Sequence, residues 1–352
     1  MSLSVADSAA ESKTRRSRLR VPTLGGGLLV LLGALVVTVF LSVALGSRSI
    51  SPLDVLNAFT HLDRSVSTDG TVTLEMRVPR TLLGILVGAA LGASGAILQG
   101  VTRNPLADPG IMGVNAGAAA AIVVAIALFD LHGVSGYLWF AFGGAIGATL
   151  LVYAVASLGR GGASPLKLAL AGAAVTAALT SLTSAVLMTD DVVLDEMRFW
   201  QVGSLAGRYL PIFYSVAPFL LVGLAASLLC GWALNGLALG DDTARALGLR
   251  VGQVRVLMFA VVAVLCGAAT AACGPIVFVG LVAPHLARLI CGPDYRWILP
   301  YSMLLSPLLL LLCDILGRLL ISPGELQVGV VLGVLGAPFF IALVRYGRLA
   351  EL

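Results

Sequence analysis

Charge is scarce in this chain. Only 11% of its 352 residues are Asp, Glu, Lys or Arg, against about 25% in ordinary soluble domains. Hydrophobic residues make up 59%, and the mean hydropathy is +1.01. A soluble fold of this length could not hide so much apolar side chain, because surface grows with size. The chain reads as a polytopic membrane protein, and soluble enzymes and binding modules are excluded. No GxxxxGK[ST] phosphate loop is present, so the chain cannot drive itself with ATP. The five cysteines (Cys230, Cys266, Cys273, Cys291, Cys313) form no CxxC pair. They read as small buried hydrophobes, not as metal ligands or redox groups.

Ionisable residues are missing from one further place, the interiors of the long apolar runs. Uncharged windows cover Val21–Ser47, Thr81–Thr102, Pro109–Phe129, Gly133–Gly159, Leu168–Thr189, Tyr209–Gly240, Val256–Pro284, Trp297–Cys313 and Leu326–Val344. Ion- and proton-coupled transporters use intramembrane charges, so a proton relay is not indicated. A membrane helix needs about 20 apolar residues. The run from Val256 to Cys291 is too long for one helix and is interrupted by Gly274 and Pro275 in "CGPIVF", which break helices. Two short helices there bring the expected total to ten spans. The first window is long and lacks a small-residue cleavage site, so it reads as a retained span and not as a signal peptide.

The charges that remain are sorted. Lys13, Arg15, Arg16, Arg18 and Arg20 precede the first span, and Arg345 and Arg348 follow the last. The positive-inside rule puts both ends in the cytoplasm, which requires an even number of spans. Ten spans also place Arg103, Arg160, Lys167, Arg245, Arg250, Arg255, Arg288 and Arg296 inside. The acids Asp54, Asp63, Asp69, Glu75, Asp190, Asp191, Asp195 and Glu196 then collect outside. The expected layout is a cytoplasmic arm at 1–23, a membrane domain at 24–346 and a cytoplasmic tail at 347–352. A cytoplasmic coupling segment lies within it at 237–255.

Small residues replace charge inside the spans. Gly84, Gly88 and Gly92 form two GxxxG steps, and Gly143 with Gly147 forms another. Such steps let helices approach closely in lipid. "GASG" at Gly92–Gly95 also fits a GxSG pattern, with Ser94 a nucleophile and His285 a base for intramembrane proteolysis. That reading is weak, because His285 stands three residues from the charged Arg288.

One stretch is out of keeping with its neighbours: "TRNPLADPG". Thr102 and Arg103 end a span, Pro105 and Pro109 forbid a continuous helix, and Asn104 and Asp108 favour turns. Gly110 and Gly113 let the chain re-enter. The longer string "QGVTRNPLADPGIMGVNAGAA" (Gln99–Ala119) resembles the signature of the FecCD family. So do "MRVPRTLLGILVGAALGASGAILQ" (Met76–Gln99), "LALAG" (Leu168–Gly172) and "RFWQVGSLAGR" (Arg198–Arg208). "LGDDTARALGLRV" (Leu239–Val251), "GPIVFVGLVAPHLARLICGPDYR" (Gly274–Arg296) and "DILGRLLISPGELQVGVVLGVLGAPFFIALV" (Asp314–Val344) match too. The resemblance covers nearly the whole chain after about Leu28.

It implies a permease subunit of a type II ABC importer in the bacterial inner membrane, all-α, with ten spans and both ends inside. "RFWQVGSL" and "SPLKLALAG" resemble the siderophore branch, with haem or cobalamin uptake as the alternative. Implied partners are a second permease subunit, identical or paralogous, two ATPase subunits and a periplasmic or lipid-anchored binding protein. No cofactor is expected on the chain. ATP and Mg belong to the ATPase, and iron enters only within the cargo. A receptor that transports nothing would need no ATPase dock.

Three constellations follow from the residues and the resemblance together. Asp241, Asp242, Thr243, Ala244, Arg245, Ala246, Leu247 and Gly248 suit a short capped helix that couples to the ATPase. Asp241 or Asp242 would be its N-cap and Gly248 its left-handed end. The resemblance implies that Arg77, Arg80 and Arg318 receive glutamates of the binding protein, since guanidinium groups hold carboxylates bidentately. Snorkelling helix-end anchors, and for Arg318 an i,i+4 pair with Asp314, are the plainer roles. The pathway is expected along the fifth span and its outer extension, Asp190–Gly207. A cytoplasmic gate is expected at Ser164, Pro165, Leu166 and Lys167, although Pro165 and Leu166 depart from the cobalamin branch. Gln99 and Asn115 are candidates for the pathway or for bonds between helices.

Overall fold

The computed structural model describes residues 3–46, 68–158, 164–321 and 324–346, and these residues are all helix, turn and loop. Asp54, Asp63, Arg160 and the 347–352 tail lie outside them, as do the side chains of the basic arm and of Asp69. The helices are α1 (Leu3–Ala44), α2 (Thr68–Thr71), α3 (Val78–Thr102), α4 (Val114–Phe129), α5 (Gly133–Ser157) and α6 (Pro165–Leu187). They continue with α7 (Asp191–Gln201), α8 (Leu210–Ala238), α9 (Asp241–Ala246), α10 (Val251–Cys273), α11 (Val279–Cys291), α12 (Tyr295–Leu320) and α13 (Val328–Tyr346). A π-helical turn, Val72–Arg77, joins α2 to α3.

Among the described residues, seven helices have the length and composition to cross a membrane, and three shorter apolar ones, Val114–Phe129, Val279–Cys291 and Val328–Ala342, bring the number to the ten expected. α4 is short because part of its span is not α-helical. The chain leaves α3 at Arg103 with φ 49° and re-enters through a 3-10 turn, Pro109–Met112. Asp108 caps that turn by accepting the Gly110 N–H at 2.7 Å, and Asn104 accepts the Leu106 N–H at 3.0 Å. The polar stretch is thus a re-entry built from two side-chain-to-backbone bonds.

α3 is the central helix, with 83% of its apolar window buried. It packs on α12 and α11 because its glycines leave room. A Cβ on Gly88 would stand 2.5 Å from Pro307 Cα, and one on Gly95 1.7 Å from the Gly280 carbonyl oxygen. The expected pair Gly143 and Gly147 differs. Nothing lies within 4 Å of a Cβ at either, and the α4–α5 contact instead uses Gly117 and Gly144, where a Cβ on either would meet the other's carbonyl oxygen at 2.3 Å. The GxxxG pattern marked the wrong face of α5, because Gly144 is one residue round the helix from Gly143.

The break after α10 falls where expected. Gly274 has φ +76°, and a Cβ there would stand 2.2 Å from the Trp200 carbonyl oxygen, so only glycine fits. After it, α11 runs for 13 residues, about 20 Å. Ser204 N–H donates to Cys273 O at 2.7 Å, and Gly329 N–H donates to Gly203 O at 3.1 Å. These bonds tie the α7–α8 connection to the break and to the start of α13.

Candidate functional site

The bundle has two charged ends, and α3 runs between them. One end holds Arg77, Arg80, Asp314 and Arg318. The other holds Arg103, Asp241, Asp294 and Arg296.

At the first end the three expected arginines come together. Asp314, 0% exposed, is their centre. Arg80 donates from Nε to Asp314 Oδ2 at 3.0 Å and from Nη2 to Oδ1 at 2.8 Å. Its Nη1 donates to Glu325 Oε2 at 2.7 Å. Arg318 Nη2 stands 2.9 Å from Asp314 Oδ2, which is the i,i+4 pair read from the sequence. Arg318 Nη1 also donates to the carbonyls of Ser42 at 2.8 Å and Leu45 at 3.0 Å. Arg77 Nη1 donates to the carbonyls of Val43 at 2.9 Å and Ala44 at 2.7 Å. These carbonyls are the open C-terminal end of α1, where cations are favoured. The arginines are therefore not free surface groups: Arg77 is 6% exposed, Arg80 9% and Arg318 2%. They tie α1, α3 and α12 into one corner.

A cavity of about 270 Å³ opens beside this corner, lined by Arg77, Arg80, Arg208, Tyr209, Arg318 and Glu325 among others. Arg208 was visible only as the last letter of "RFWQVGSLAGR". Its place beside the other three follows from the fold, since 128 residues separate it from Arg80.

At the opposite end, α9 lies on the surface. Its N-cap is Gly240, with φ +105° and no side-chain cap. The expectation that Asp241 or Asp242 would cap the helix is therefore corrected. Asp241 instead pairs with Arg103 and, through Oδ1, accepts from Arg255 Nη2 at 2.9 Å. Asp242 accepts from Arg245 Nη1 at 2.8 Å. A carboxylate facing guanidiniums from α10 and from the α3 terminus has a stronger attraction than a cap offers. The helical body is Asp241–Ala246, so both aspartates lie inside the helix, and Gly248 has the expected left-handed φ, +85°. Ala244 is fully buried, while Thr243, Arg245, Ala246 and Leu247 are exposed, Leu247 by 58%.

The other expected residues are dispersed. Ser164 caps α6 by accepting the Lys167 N–H at 3.3 Å, with Pro165 in the first turn. Leu166 is 70% exposed, and Lys167 Nζ donates to Leu158 O at 3.4 Å. Gln99 is fully buried and donates from Nε2 to Leu281 O at 3.3 Å, joining α3 to α11. Thr270 Oγ1 donates to Asn115 Oδ1 at 3.2 Å, joining α10 to α4. Both therefore bond between helices inside the chain. α6 is different, with only 17% of its window buried. Its exposed residues include Ala173, Ala177, Thr180, Ser181 and Ser184, a small and hydroxyl-bearing face. No hydrogen bond joins Ser94 to His285, so the protease reading has no catalytic pair in this structure.

The model of the FecCD transport family matches residues 34–346. The chain belongs to that family. It is 47% identical over 319 residues to the ferric enterobactin transport system permease protein FepD of Escherichia coli K12, covering 91% of this chain and 94% of the other. Identity is 38% to the siderophore transport system permease protein YfiZ of Bacillus subtilis, over 91% and 96% of the two chains. It is 35% to the hemin transport system permease protein HmuU of Yersinia pestis, again over 91% and 96%. A solved chain of an inward-facing metal-chelate type ABC transporter superposes with a TM-score of 0.80 at 30% identity, over 91% of this chain and 99% of that one. The family member described here is a multi-pass membrane permease subunit of an ABC transporter, in the bacterial inner membrane.

Proposed function

We propose that the chain is the permease subunit of an importer for ferric siderophores, driven by ATP hydrolysis in partner subunits. The observation that carries this reading is the near-complete match to siderophore permeases, including one at 47% identity over 91% of this chain. The hemin permease at 35% keeps haem as the rival cargo.

The geometry supports a division of labour. The basic residues before the first span and after the last favour the cytoplasm, so the Asp241 end faces inward with both termini and the Arg77–Arg318 end faces outward. Inside, Leu247 at the tip of α9 seats in a cleft of the ATPase, on a helix held by the pairs of Asp241. Outside, the arginine corner receives a cargo-loaded binding protein. The small, hydroxyl-bearing face of α6 lines the pathway against a second permease subunit. Leucine-rich faces suit lipid, whereas small and hydroxyl residues suit a close neighbour or water. Ser164–Lys167, at the inward start of the same helix, then stand where the pathway closes. Alternating access arises when ATP binding below and cargo docking above favour different arrangements of the two permease subunits.

The test is uptake of radio-iron siderophore into proteoliposomes holding this chain with its ATPase, second permease and binding protein. Uptake is expected only with ATP inside and binding protein outside. ATP-dependent haem uptake without siderophore uptake would replace the cargo, and uptake without the ATPase would overturn the mechanism.

A further inference from the structure

We propose that Arg103 is the positioning residue that carries a movement of α9 to α6, by way of the re-entrant turn at residues 103–112. This rests on the reading of α9 as the ATPase dock and of α6 as a wall of the pathway, and it names the link between them.

Arg103 engages three elements at once. Its backbone closes α3: Arg103 stands at φ 49°, and the Asn104 N–H donates to Gln99 O at 3.2 Å. Its Nε donates at 2.9 Å to Leu237 O, one of the open carbonyls that end α8. Its Nη2 pairs with Asp241, the first residue of α9. A helix that closes in the left-handed region usually has glycine or asparagine there, because a larger side chain crowds the following carbonyl oxygen. Glycine would make this turn with less strain, but it has no side chain to reach Asp241. The pair is partly exposed, its two side chains by 35% and 28%, and exposed pairs add little to stability. Its consequence is therefore one of position. Arg255, the other partner of Asp241, ties α9 to α10, so α9 stays attached when Arg103 is replaced.

The turn that begins at Arg103 ends against α6. Asn104 and Asp108 hold it from within, by accepting the Leu106 and Gly110 N–H groups. Its last residues press on α6: a Cβ on Gly172 would stand 1.8 Å from the Ile111 carbonyl oxygen, and one on Gly113 3.7 Å from Thr176 Oγ1. Gly172 and Thr176 both belong to α6. Backbone packed this closely on backbone passes a displacement on, because neither side can swing away as a long side chain does. The contacts are continuous from α9 through Asp241, Arg103 and the held turn to Gly172. Coupling between distant sites is carried by packed side chains, ion pairs and rigid elements of this kind. α6 begins at Pro165, beside the expected gate, so a shift at Gly172 acts two turns above it.

The experiment measures cargo imported per ATP hydrolysed by the assembled transporter in proteoliposomes, with the cargo that the parent complex takes up. Arg103→Gln should leave the ATPase bound and hydrolysing, while cargo imported per ATP falls roughly fivefold or more, the lower end of ordinary coupling between sites. Arg103→Gly should fail in the same way although glycine suits the turn, which separates transmission from local folding. Arg103→Lys should fall between, since lysine keeps the charge and loses the fork that serves Asp241 and Leu237 O together. Arg103→Gln combined with Asp241→Asn should be no worse than the worse single variant, because both break one contact. Ala177→Cys, on the exposed face of α6, reports the far end. Its maleimide labelling should change when the ATPase is trapped with ADP and vanadate, and Arg103→Gln should abolish that change. An unchanged import ratio in Arg103→Gln or Arg103→Gly overturns the proposal. So does labelling at position 177 that still responds to trapping in Arg103→Gln. The dock reading fails separately: Leu247→Asp with a normally bound ATPase and normal uptake removes α9 from that role. Loss of the ATPase in Leu247→Asp, with an unchanged ratio in Arg103→Gln, keeps the dock and removes only the link.

Discussion

Asp314 holds Arg80 and Arg318 at once, its Oδ1 at 2.8 Å from Arg80 Nη2 and its Oδ2 at 2.9 Å from Arg318 Nη2, with the carboxylate wholly out of solvent. One carboxylate thus pairs α3 to α12 and holds Arg318 beside the end of α1. Removing it leaves two buried guanidiniums facing each other. Asp314→Asn should therefore lower stability by roughly 3–5 kcal/mol, the usual result of breaking a buried pair from one side. Thermal unfolding of the detergent-solubilised chain measures this. An unchanged midpoint would mean that the arginines find other partners without cost.

The exposed tip of α9 makes a second prediction. Leu247 is 58% exposed and packs little within the chain, so its replacement should leave folding intact. Leu247→Asp should weaken association with the ATPase by roughly tenfold or more, since burying one leucine contributes about 1.5–3 kcal/mol. Co-purification of the ATPase and ATP-driven uptake should fall together. Normal uptake with a normally bound ATPase would remove α9 from the coupling role.

Close helix packing makes a third. A methyl at Gly95 meets the Gly280 carbonyl oxygen at 1.7 Å, and backbone cannot move aside as a side chain can. Gly95→Ala should cost about 1–3 kcal/mol, as overpacking does. Gly143→Ala meets nothing within 4 Å and should be neutral or slightly stabilising, because alanine favours helix by about 1 kcal/mol. Equal midpoints for the two variants would show that α3 and α11 can separate freely.

Features set by neighbouring residues were legible in the sequence. The helix break at Gly274 and Pro275, the turns at Asn104 and Asp108, the left-handed Gly248 and the ten apolar helices all follow from local geometry. The shared end of Arg77, Arg80 and Arg318 was legible from span parity together with the family resemblance. What was not legible depended on distant partners. Asp314 could be paired with Arg318 at one helical turn, but its bond to Arg80, 234 positions away, required knowing that α3 and α12 are antiparallel neighbours. Asp241 was read as a cap because capping is a local habit, and Arg255 and Arg103 outcompete it from other elements. Gly143 and Gly144 differ by one position, and a spacing pattern cannot say which face meets a helix. Arg208 showed nothing by spacing, because its neighbours at the cavity come from other elements.

His132 carries the last prediction. It lies between α4 and α5, outside the spans, with both ring nitrogens engaged. Nε2 stands 2.9 Å from Asp130 Oδ1 and Nδ1 2.6 Å from Glu196 Oε1. Glu196 belongs to α7, so the ring ties the α4–α5 corner to α7. Hydrogen bonds to Asp130, and then to Glu196, push the imidazole above its ordinary value of 6.5. The raised value means that the folded state binds the proton more tightly than the unfolded state. The tie is then fully present below about 6.5, the unfolded value, and is lost as pH rises through the higher folded value. Asp130 and Glu196 are the charges bonded to the ring; the Asp195–Arg198 pair on α7 is closed within its own helix. Carbon-13 resonances of labelled histidine should report a titration above 6.5 for His132. Amide exchange in residues 191–201, corrected for its intrinsic pH dependence, should quicken over the same range. His132→Gln should abolish that pH dependence, since glutamine does not titrate. A His132 titration at or below 6.5, or α7 exchange that ignores it, would show that the ring does not hold this corner.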